Sequence, residues 1–456
     1  MDINTTIFKA YDIRGIYPGQ LNEETAYRVG KAYSEILHKE NPGKKLNVVV
    51  GNDMRVSTPS LKEKVIKGLN DSNVNVIDVG LVTTPTFYFS VAYYGYDGGI
   101  QVSASHNPKE YNGFKMTRKR SIPLSGETGM EELKNKVVQN EFPDYQNRGS
   151  VSGKNKVIDE EVSVQIEEKG INISAIKAFK IVVDAANAMG SLDIDAMFKN
   201  TSCEIVRLNW DLDGTFPVHQ PDPLQEENLE ITQRKVVETN ADLGIVPDGD
   251  GDRYFFIDEK GEIIRQEIIR GIMAAIELKQ NPGATVAYDV RPGKITRDMI
   301  LEAGGKPIVT RVGHSLIKEQ MLKENAIFGG ESSGHYFYKF NYGTFEAPIV
   351  LVLKFLQFLS EQNRRVSEII APYKRYYHSG EINSEVKDKV AKMKEIENKY
   401  SDAEISHLDG VTVEFPEYWF NVRASNTENL LRLNLEAKTK ELMDKKRDEV
   451  LEIIRN

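Results

Sequence analysis

Three stretches of the chain repeat one pattern, and this repetition limits the fold more than any other feature. Each begins with an apolar run that ends in aspartate and a turn, and the runs are NVVVGNDMR, KIVVDAANAMG and TVAYDVRPG. A second apolar run follows each of them (VNVIDVG, CEIVRLN or KPIVTRVG), and then a third run that ends in a polar loop. Apolar runs without polar alternation are typical of strands buried on both faces of a parallel sheet. The sequence therefore predicts three tandem α/β domains of similar topology, each with a mixed or parallel sheet between helices.

The last part of the chain has a different pattern. In LLRLNLEA, Leu431, Leu433 and Leu435 alternate with polar residues, which is the period of a half-exposed strand, and a charged amphipathic helix follows. This indicates a small α+β fourth domain. The polar stretch PDYQNRGSVSGKNK is typical of a linker after the first domain. We expect the four domains to cover residues 1–152, 153–256, 257–369 and 370–456.

Composition excludes several classes of protein. With 40% hydrophobic and 28% charged residues the chain is globular, and a formal net charge of −9 argues against nonspecific binding of nucleic acid. The single cysteine, Cys203, rules out an intrachain disulfide, and the N-terminus lacks the pattern of a secretory signal. The most apolar window, APIVLVLKFLQFL, is interrupted by Lys354 and Gln357, is too short to span a bilayer and indicates a buried helix. We therefore expect a cytoplasmic protein that binds neither nucleic acid nor membrane.

The loop DGDGDR is the strongest chemical signal in the chain. It places the carboxylates of Asp248, Asp250 and Asp252 within five residues. Carboxylates this close repel one another unless a cation joins them, so we predict a divalent metal site, with Mg²⁺ favoured over Ca²⁺ if a phosphate completes its shell. An EF-hand is opposed by Arg253, which stands where that loop needs glycine, and by the strand-like flanks. A solvated acidic turn is the other alternative.

Three further loops carry weaker signals. GGESSGH provides Glu331 and Ser333, which suit hydrogen bonds to vicinal sugar hydroxyls. RASNTEN, residues 423–429, offers a guanidinium, hydroxyls and an amide to a phosphate. RVGHSLIKEQM places His314 at a predicted helix start, where backbone N–H groups favour an anion. Alone, RASNTEN is equally typical of an Asn/Thr turn with a surface arginine, GGESSGH of a common Gly-Ser-rich turn, and a lone histidine such as His314 is more often structural.

The loop VSASHNPKEYNGFKM raises the question whether Ser105 and His106 form a nucleophile and its base. Side chains of adjacent residues usually diverge, and the chain has no G-x-S-x-G pattern around this serine, so an acyl hydrolase is disfavoured. A phosphoryl group on Ser105 would instead supply oxygens to a cation held by the aspartates. This interpretation explains the serine loop and the DGDGDR loop together, whereas neither loop alone indicates this chemistry.

Taken together, SASHNP, DGDGDR, GESSGH and RASNTE resemble, in this order, the motifs of the α-D-phosphohexomutase family, and most of all its bacterial phosphomannomutase/phosphoglucomutase branch. The resemblance runs from YDIRG at residues 11–15 to the RASNTENLLRLNLEA tail. It implies four domains around a central cleft, a phosphoserine at Ser105, and one Mg²⁺ held by Ser105 and the three aspartates. The implied reaction interconverts hexose 1-phosphate and hexose 6-phosphate through a hexose 1,6-bisphosphate, which is also the activator. GHS at 313–315 and SGEIN at 379–383 resemble the mannose/glucose branch.

The resemblance also assigns individual residues. It implies as catalytic residues Ser105, Arg14, His106, Lys115 and Arg253. The general acid/base would lie near Arg14, His106 or Lys115. The substrate-binding residues that it implies are Tyr11, Arg291, Gly313, His314, Glu331, Ser333, His335, Arg423, Ser425, Asn426 and Thr427. The chain departs from the family pattern at Ala424 and Asn429, where proline is usual, and at Arg291, where lysine is common. NYGTFEAPI, which contains Glu346, lacks the usual Asp-Gly pair.

Other functions remain open from the sequence. A phosphoglucosamine mutase differs only in its sugar, a metal-dependent sugar phosphatase uses the same groups for another reaction, and a sugar-phosphate binding protein does no chemistry. In every case the expected partners are small sugar phosphates. We expect the chain to be a monomer or a weak homodimer.

Overall fold

The computed structural model describes residues 3–424 and 429–456, apart from the side chain of Glu127. The chain forms two compact units. The first unit comprises Met1–Ile264 and Gly334–Ser367, and the second unit comprises Arg265–Ser333 and Glu368–Asn456. Among the described residues no helix has the length and apolar character needed to cross a membrane.

The first part of the first unit is built on one sheet. Its strands are β1 Asp12–Ile16, β2 Asn47–Asn52, β3 Asn75–Leu81, β4 Gly98–Val102, β5 Tyr111–Arg118 and β6 Val151–Gly153. Its helices are α1 Glu23–Glu40, α2 Thr58–Asp71, α3 Thr84–Tyr93 and α4 Glu131–Gln139. The strand order is β1-β5-β4-β2-β3-β6, with β5 antiparallel to both neighbours and β4, β2, β3 and β6 parallel. Because β6 pairs with β3, the stretch interpreted as a linker in fact contributes an edge strand.

The next part of the first unit repeats this arrangement. Its elements are α5 Val157–Glu168, β7 Lys180–Asp184, α6 Gly190–Phe198, β8 Glu204–Leu208, α7 Glu230–Thr239, β9 Leu243–Pro247, β10 Tyr254–Asp258 and β11 Ile263–Ile264. The strand order is β11-β10-β9-β7-β8, in which β9, β7 and β8 are parallel and β10 is antiparallel to β9 and β11. Ile181, Val182 and Val183 of β7 are fully buried, as the unbroken apolar run predicted.

The third repeat begins in the second unit. Its elements are α8 Gln266–Gln280, β12 Thr285–Asp289, α9 Lys294–Glu302, β13 Lys306–Thr310, α10 His314–Lys323 and β14 Phe328–Gly330. Here β12 is parallel to β13 and to β14, which confirms the predicted α/β repeat. The repeat continues in the first unit with β15 Tyr336–Lys339, β16 Thr344–Glu346 and α11 Pro348–Gln362. The next helix is α12 Val366–Ile370. Strands β15 and β16 form an antiparallel hairpin, and α11 is the buried helix expected from the most apolar window.

The C-terminal part of the second unit is the predicted α+β domain. Its elements are β17 Tyr377–His378, β18 Ile382–Glu385, α13 Lys389–Lys399, β19 Glu404–Ser406, β20 Val411–Glu414, β21 Tyr418–Ala424, β22 Leu430–Ala437 and α14 Lys440–Arg455. The sheet is antiparallel, with the order β17-β22-β21-β20-β19 and β18 also paired with β22. The expectation that β22 is half-exposed is wrong at Asn434 and Glu436, which are each 1% exposed. Glu436 is covered because its Oε2 accepts hydrogen bonds from the backbone N–H groups of Gly293 and Lys294 at the start of α9.

Two carboxyl groups are buried together in the first unit, Glu161 on α5 and Asp193 on α6. Thr83 Oγ1 donates to Asp193 Oδ2 at 3.0 Å, and Gln165 Nε2 donates to Glu161 Oε1 at 2.8 Å. Burial raises the pKa of Asp193 to about 7. Burial, and then the charge of Asp193, raises the pKa of Glu161 as well. The folded chain therefore holds protons on this pair at pH values where the unfolded chain has lost them.

We expect Asp193→Asn to change how stability depends on pH. The pKa of Asp193 is higher in the folded chain than its usual 3.8, so its contribution to stability is present below about pH 4 and is lost as the pH rises through 7. The amide cannot ionise. The free energy of unfolding of the variant relative to wild type should therefore increase from pH 5 to pH 8 by about 2–3 kcal/mol. Thermal unfolding at the two pH values measures this. Asp195→Asn, at an exposed position of the same helix, is the control, and parallel pH profiles for all three proteins would contradict the assignment.

Candidate functional site

The predicted nucleophile, Ser105, lies in the connection between β4 and β5 and is 2% exposed. Its φ of +52° falls in the left-handed region that residues other than glycine rarely adopt. Ser105 Oγ lies 3.0 Å from His106 Nδ1 and donates a hydrogen bond to Asp248 Oδ2 at 3.1 Å. The expectation that the two adjacent side chains diverge is therefore wrong, because it assumed a backbone conformation that Ser105 does not have. The hydroxyl therefore has a carboxylate acceptor from the DGDGDR loop beside the imidazole, whereas the imidazole is the base in a Ser–His dyad.

The three aspartates predicted to bind the metal occupy the connection between β9 and β10. Asp248, Asp250 and Asp252 are buried, and one oxygen of each lies within 4.8 Å of the others. The intervening glycine lets this loop approach the serine loop, since a Cβ on Gly249 would lie 2.4 Å from the Ser105 carbonyl oxygen. Because strands flank the loop on both sides, the EF-hand alternative is excluded.

Lys115 on β5 lies between two of these carboxylates. Its Nζ is 2.8 Å from Asp250 Oδ2 and 2.7 Å from Asp252 Oδ2. Burial acts to lower the pKa of Lys115, but the two carboxylates outweigh it and raise the pKa well above its usual value. Burial acts to raise the pKa of both aspartates, and Lys115 lowers it in each case. Thr84 Oγ1 adds a hydrogen bond to Asp250 Oδ2 at 2.6 Å. The loop is thus held in place before any ligand binds.

Asp248, Asp250 and Asp252 form an acidic cluster whose oxygen atoms fit a hard divalent cation. Asp250 Oδ1 and Asp252 Oδ1 are buried and accept no hydrogen bond from the described residues. Burial, and then the charges of Asp252 and Asp250, raise the pKa of Asp248 well above its usual value. A cation would satisfy the two oxygens and relieve the repulsion at Asp248, and carboxylate oxygens are the ligands that Mg²⁺ and Ca²⁺ prefer.

The cationic residues of the predicted site approach the same cluster. Arg14 on β1 donates through Nε to Asp12 at 2.7 Å and through Nη1 to Asn107 Oδ1 at 2.6 Å. Arg253 Nε lies 3.9 Å from Asp248 Oδ2 and donates to His335 Nε2 at 2.9 Å. Burial, and then the charges of Arg253 and Arg14, lower the pKa of His106 well below its usual value. The first unit therefore brings most of the predicted catalytic residues together around Ser105.

His335 was predicted to bind substrate, and it lies beside Asp252 of the acidic cluster. Its Nδ1 is 3.5 Å from Asp252 Oδ1 and 3.9 Å from Glu346 Oε1. These three residues have spacing that a metal could use. However, the hydrogen bond from Arg253 occupies the Nε2 lone pair, so the ring proton is on Nδ1, and that nitrogen cannot bind a metal. Glu346, in the segment that lacks the Asp-Gly pair, instead faces the protonated side of the ring. Tyr11 is half-buried immediately before β1.

The second unit gathers another group of predicted residues. Glu331 Oε1 accepts a hydrogen bond from the Gly313 backbone N–H at 2.9 Å, and Arg291 Nη2 donates to Ser333 Oγ at 3.3 Å. Arg291 Nη2 is also 3.7 Å from Glu331 Oε1. Burial acts to lower the pKa of Arg291, but the charges of Asp289 and Glu331 outweigh it and raise the pKa. This group presents a guanidinium, a carboxylate and a hydroxyl, which suits a phosphorylated sugar.

The remaining predicted residues are placed as follows. His314 begins α10 directly after Gly313, whose φ is +142°. Arg423 lies at the end of β21, and its Nη2 donates to Glu381 Oε2 at 2.7 Å. Ser425, Asn426 and Thr427 lie outside the described residues.

Sequence reasoning missed several supporting residues. Asp289 holds Arg291 and accepts a hydrogen bond from the Ser332 backbone N–H at 3.1 Å. Glu381 was noted only as part of a branch motif, although it holds Arg423. The aspartate after the first apolar run of each repeat was the available signal, because a carboxylate at such a position can accept backbone N–H groups of the following turn. Asp184 accepts the Ala186 backbone N–H in this way, and Asp53 accepts that of Arg55.

Family models match the chain in four successive parts. They are described as phosphoglucomutase/phosphomannomutase alpha/beta/alpha domain I, domain II, domain III and the C-terminal domain. The matched residues are 5–144, 164–261, 267–376 and 381–453.

Individual relatives are similar over the whole chain. A phosphomannomutase of Vibrio cholerae is 39% identical over 99% of this chain and 98% of its own. A solved structure of a phosphoglucomutase/phosphomannomutase family protein from Burkholderia thailandensis is 32% identical, with a TM-score of 0.90 over 99% of this chain and 97% of its own. The Aspergillus fumigatus N-acetylphosphoglucosamine mutase, solved in complex with GlcNAc-6P and magnesium, is 14% identical with a TM-score of 0.63 over 98% and 95% of the two chains. This last likeness shows a shared fold alone.

Proposed function

The chain belongs to the phosphoglucomutase/phosphomannomutase family and is a phosphohexomutase, and from this premise we propose that it interconverts the 1- and 6-phosphates of mannose, glucose or both through a phosphorylated Ser105. The observation that carries the proposal is the buried contact of 3.1 Å between Ser105 Oγ and Asp248 Oδ2. A serine that carries a phosphoryl group needs positive charge close to its oxygens. The acidic cluster offers a place for that charge, and a structural turn serine does not need one.

The proposed reaction consists of two phosphoryl transfers. In the first, the bond between Ser105 Oγ and phosphorus breaks, a bond forms from phosphorus to the free hydroxyl oxygen of the sugar monophosphate, and the hydroxyl proton leaves to a base. In the second, the bond between the sugar oxygen and the phosphorus of the other phosphoryl group breaks, and a bond forms from that phosphorus to Ser105 Oγ. The released sugar oxygen takes the proton back from the base, and the product carries the phosphate that the first transfer added. Such transfers depend on positioning and charge stabilisation. Lys115, Arg14 and Arg253 are the cationic side chains that would neutralise the phosphoryl oxygens.

We further propose that Asp248, Asp250 and Asp252 hold one Mg²⁺ together with Ser105. When bound, the ion supplies positive charge against phosphoryl oxygens, a recognised contribution of metals to phosphoryl transfer. The two orphaned buried oxygens of Asp250 and Asp252 support this assignment.

Sugar recognition is proposed for the group in the second unit. Glu331 and Ser333 would bind sugar hydroxyls, and Arg291 and Arg423 would bind the phosphate that does not react. The other residues proposed to contact the substrate, as the family resemblance assigns them, are Tyr11, Gly313, His314, His335, Ser425, Asn426 and Thr427. The four predicted domains, with their boundaries after residues 152, 256 and 369, belong to the same proposal.

The proposal is tested by parallel assays with mannose 1-phosphate, glucose 1-phosphate and glucosamine 1-phosphate, each primed with the matching 1,6-bisphosphate. We expect conversion of the first or second to its 6-phosphate with almost no release of inorganic phosphate. Steady release of inorganic phosphate would indicate a phosphatase, and a preference for glucosamine 1-phosphate would indicate a phosphoglucosamine mutase. If no sugar phosphate were converted, the chain would be a sugar-phosphate binding protein.

Glu331→Gln is expected to lower kcat/KM by about 10- to 100-fold, mainly by raising KM, because it weakens a charge-assisted bond to the sugar and leaves Arg291 less well held. Steady-state kinetics with the preferred sugar measure the effect. Glu324→Gln, at an exposed position at the end of α10, is the control and should behave as wild type. An unchanged KM in Glu331→Gln would remove this residue from the sugar site.

A further inference from the structure

Arg55 is a buried arginine behind the Ser105 loop, and none of the roles proposed above includes it. It follows β2 and is 1% exposed. Its Nη2 donates to the carbonyl oxygens of Ser105 at 2.7 Å and Asn107 at 2.6 Å. Its Nη1 donates to the carbonyl oxygens of Pro108 at 2.7 Å and Tyr111 at 3.1 Å. One guanidinium thus satisfies four carbonyl groups of the loop that carries the proposed nucleophile.

Arg55 is itself held from two sides. Asp53 Oδ2 lies 3.2 Å from Arg55 Nε, and Asp53 Oδ1 accepts a hydrogen bond from the Arg55 backbone N–H at 3.0 Å. The Phe216 ring covers the guanidinium, with 5.0 Å between Cζ and the ring centroid. Arg55 Nε makes no hydrogen bond among the described residues, so Asp53 acts there as an ion pair. A planar group with a counter-ion at one edge and a ring over its face keeps its Nη donors in nearly constant directions. The bonds to the loop are therefore not those of a mobile surface arginine.

The loop needs such support because its backbone is strained at the serine. Ser105 has a φ of +52°, and a residue other than glycine keeps this conformation only where its surroundings impose it. Several of the contacts that impose it come from Arg55. Others come from Ser103 Oγ, which accepts from the Ser105 backbone N–H at 3.0 Å, and from Gln220 Nε2, which donates to the His106 carbonyl oxygen at 2.8 Å.

We propose that Arg55 is a positioning residue for phosphoryl transfer, which holds Ser105 in its left-handed conformation with Oγ directed at the acidic cluster. The inference rests on the proposed role of Ser105 as the phosphoryl carrier. Arg55 acts through the loop backbone and touches neither substrate nor the transferred group. A displacement of the nucleophile by about 1 Å is enough to slow such a reaction about 100-fold.

Arg55→Lys tests the proposal, because lysine keeps the charge but cannot span four carbonyl oxygens with a rigid fork. Asp53→Asn is the second variant, since it keeps Arg55 and removes the negative charge beside its Nε. The amide oxygen of asparagine can still accept the hydrogen bonds that Asp53 Oδ1 receives from the Arg55 backbone N–H and from Thr58 Oγ1. Arg28→Lys is the matched control. Arg28 is a buried arginine of the same unit, bonded to Glu24 and distant in sequence from the loop. Each protein is phosphorylated with glucose 1,6-bisphosphate, checked by intact mass, and mixed with sugar monophosphate in a rapid-quench experiment.

We expect single-turnover transfer from the phosphoenzyme to slow by about 100-fold in Arg55→Lys and about 10-fold in Asp53→Asn, with KM within about threefold of wild type. Arg28→Lys should keep the wild-type rate. A merely structural role of Arg55 predicts instead that rate and KM change together or not at all, and either result overturns the inference. If Arg55→Lys fails to fold, the rate of Asp53→Asn decides.

The same experiment separates this inference from the function on which it rests. If the wild-type protein takes up no phosphate on Ser105, both the proposed function and the role of Arg55 are wrong. A wild-type protein that is phosphorylated on Ser105, together with an Arg55→Lys variant that transfers at the wild-type rate, removes only the role of Arg55.

Discussion

Ser105→Ala is expected to abolish mutase turnover, with a loss of at least about 10⁴-fold in kcat. The hydroxyl oxygen is the atom that forms and breaks the bond to phosphorus, and the neighbouring side chains do not offer a replacement in the same position. His106 is the nearest, but its ring lies beside Ser105 Oγ and has its own contact with it at 3.0 Å. The variant should still fold, because the alanine side chain is smaller and the substitution removes the hydroxyl's hydrogen bond to Asp248 but keeps the backbone hydrogen bond to Ser103 Oγ.

Intact-mass analysis of the purified proteins gives a second readout for the same variant. Wild type treated with glucose 1,6-bisphosphate should carry one phosphate, and Ser105→Ala should carry none. Ser163→Ala, at an exposed serine of α5, is the control and should be phosphorylated and active as wild type. A phosphate that persists on Ser105→Ala would place the carrier at another residue, and a variant with measurable turnover would exclude a covalent role for Ser105.

The fold was largely predictable because its information is local. Each apolar run that ends in a turn forms a strand, and the run ending at Asp184 is as buried as its lack of polar alternation required. The loops that follow the third strand of each repeat carry the motifs, since the carboxyl ends of parallel strands are where open α/β sheets bind ligands. Short strands without a strong pattern were missed. Strand β6, Val151–Gly153, is exposed at all three residues and has no apolar run, and only its pairing with β3 identifies it.

The electrostatics of the site could not be predicted, because they depend on pairs that are distant in the chain. Lys115 contacts Asp252 across 137 residues, and its position follows from the register that places it opposite Gln101 of β4 and Asp12 of β1. Nor does the sequence show that Ser105 is left-handed. Serine has no intrinsic preference for that conformation, so the contact with His106 followed only from the tertiary structure.

Asp250→Asn is expected to lower the affinity for Mg²⁺ by at least about 100-fold and mutase activity by at least about 1000-fold. The substitution removes one of three negative charges, and it leaves Lys115 paired with Asp252 alone. In wild type, a chelator should abolish activity and Mg²⁺ should restore it. A ligand that binds only the folded chain raises its stability, by about 2.7 kcal/mol at 100 times its dissociation constant. Mg²⁺ should accordingly raise the Tm of wild type and leave that of Asp250→Asn almost unchanged.

The control for this prediction must be a buried carboxylate of the same hairpin that has no part in the cluster. Asp258, at the end of β10, is 1% exposed, and its Oδ1 accepts the backbone N–H groups of Lys260 and Glu262 at 3.0 Å. Asp258→Asn should lower Tm without changing the shift that Mg²⁺ produces, because the carboxylate stabilises a turn and does not contact the cluster. If Mg²⁺ shifted wild type, Asp250→Asn and Asp258→Asn equally, the ion would bind elsewhere. Lys115 would then be the permanent counter-ion of the aspartates, and charge stabilisation at Ser105 would come from the protein alone.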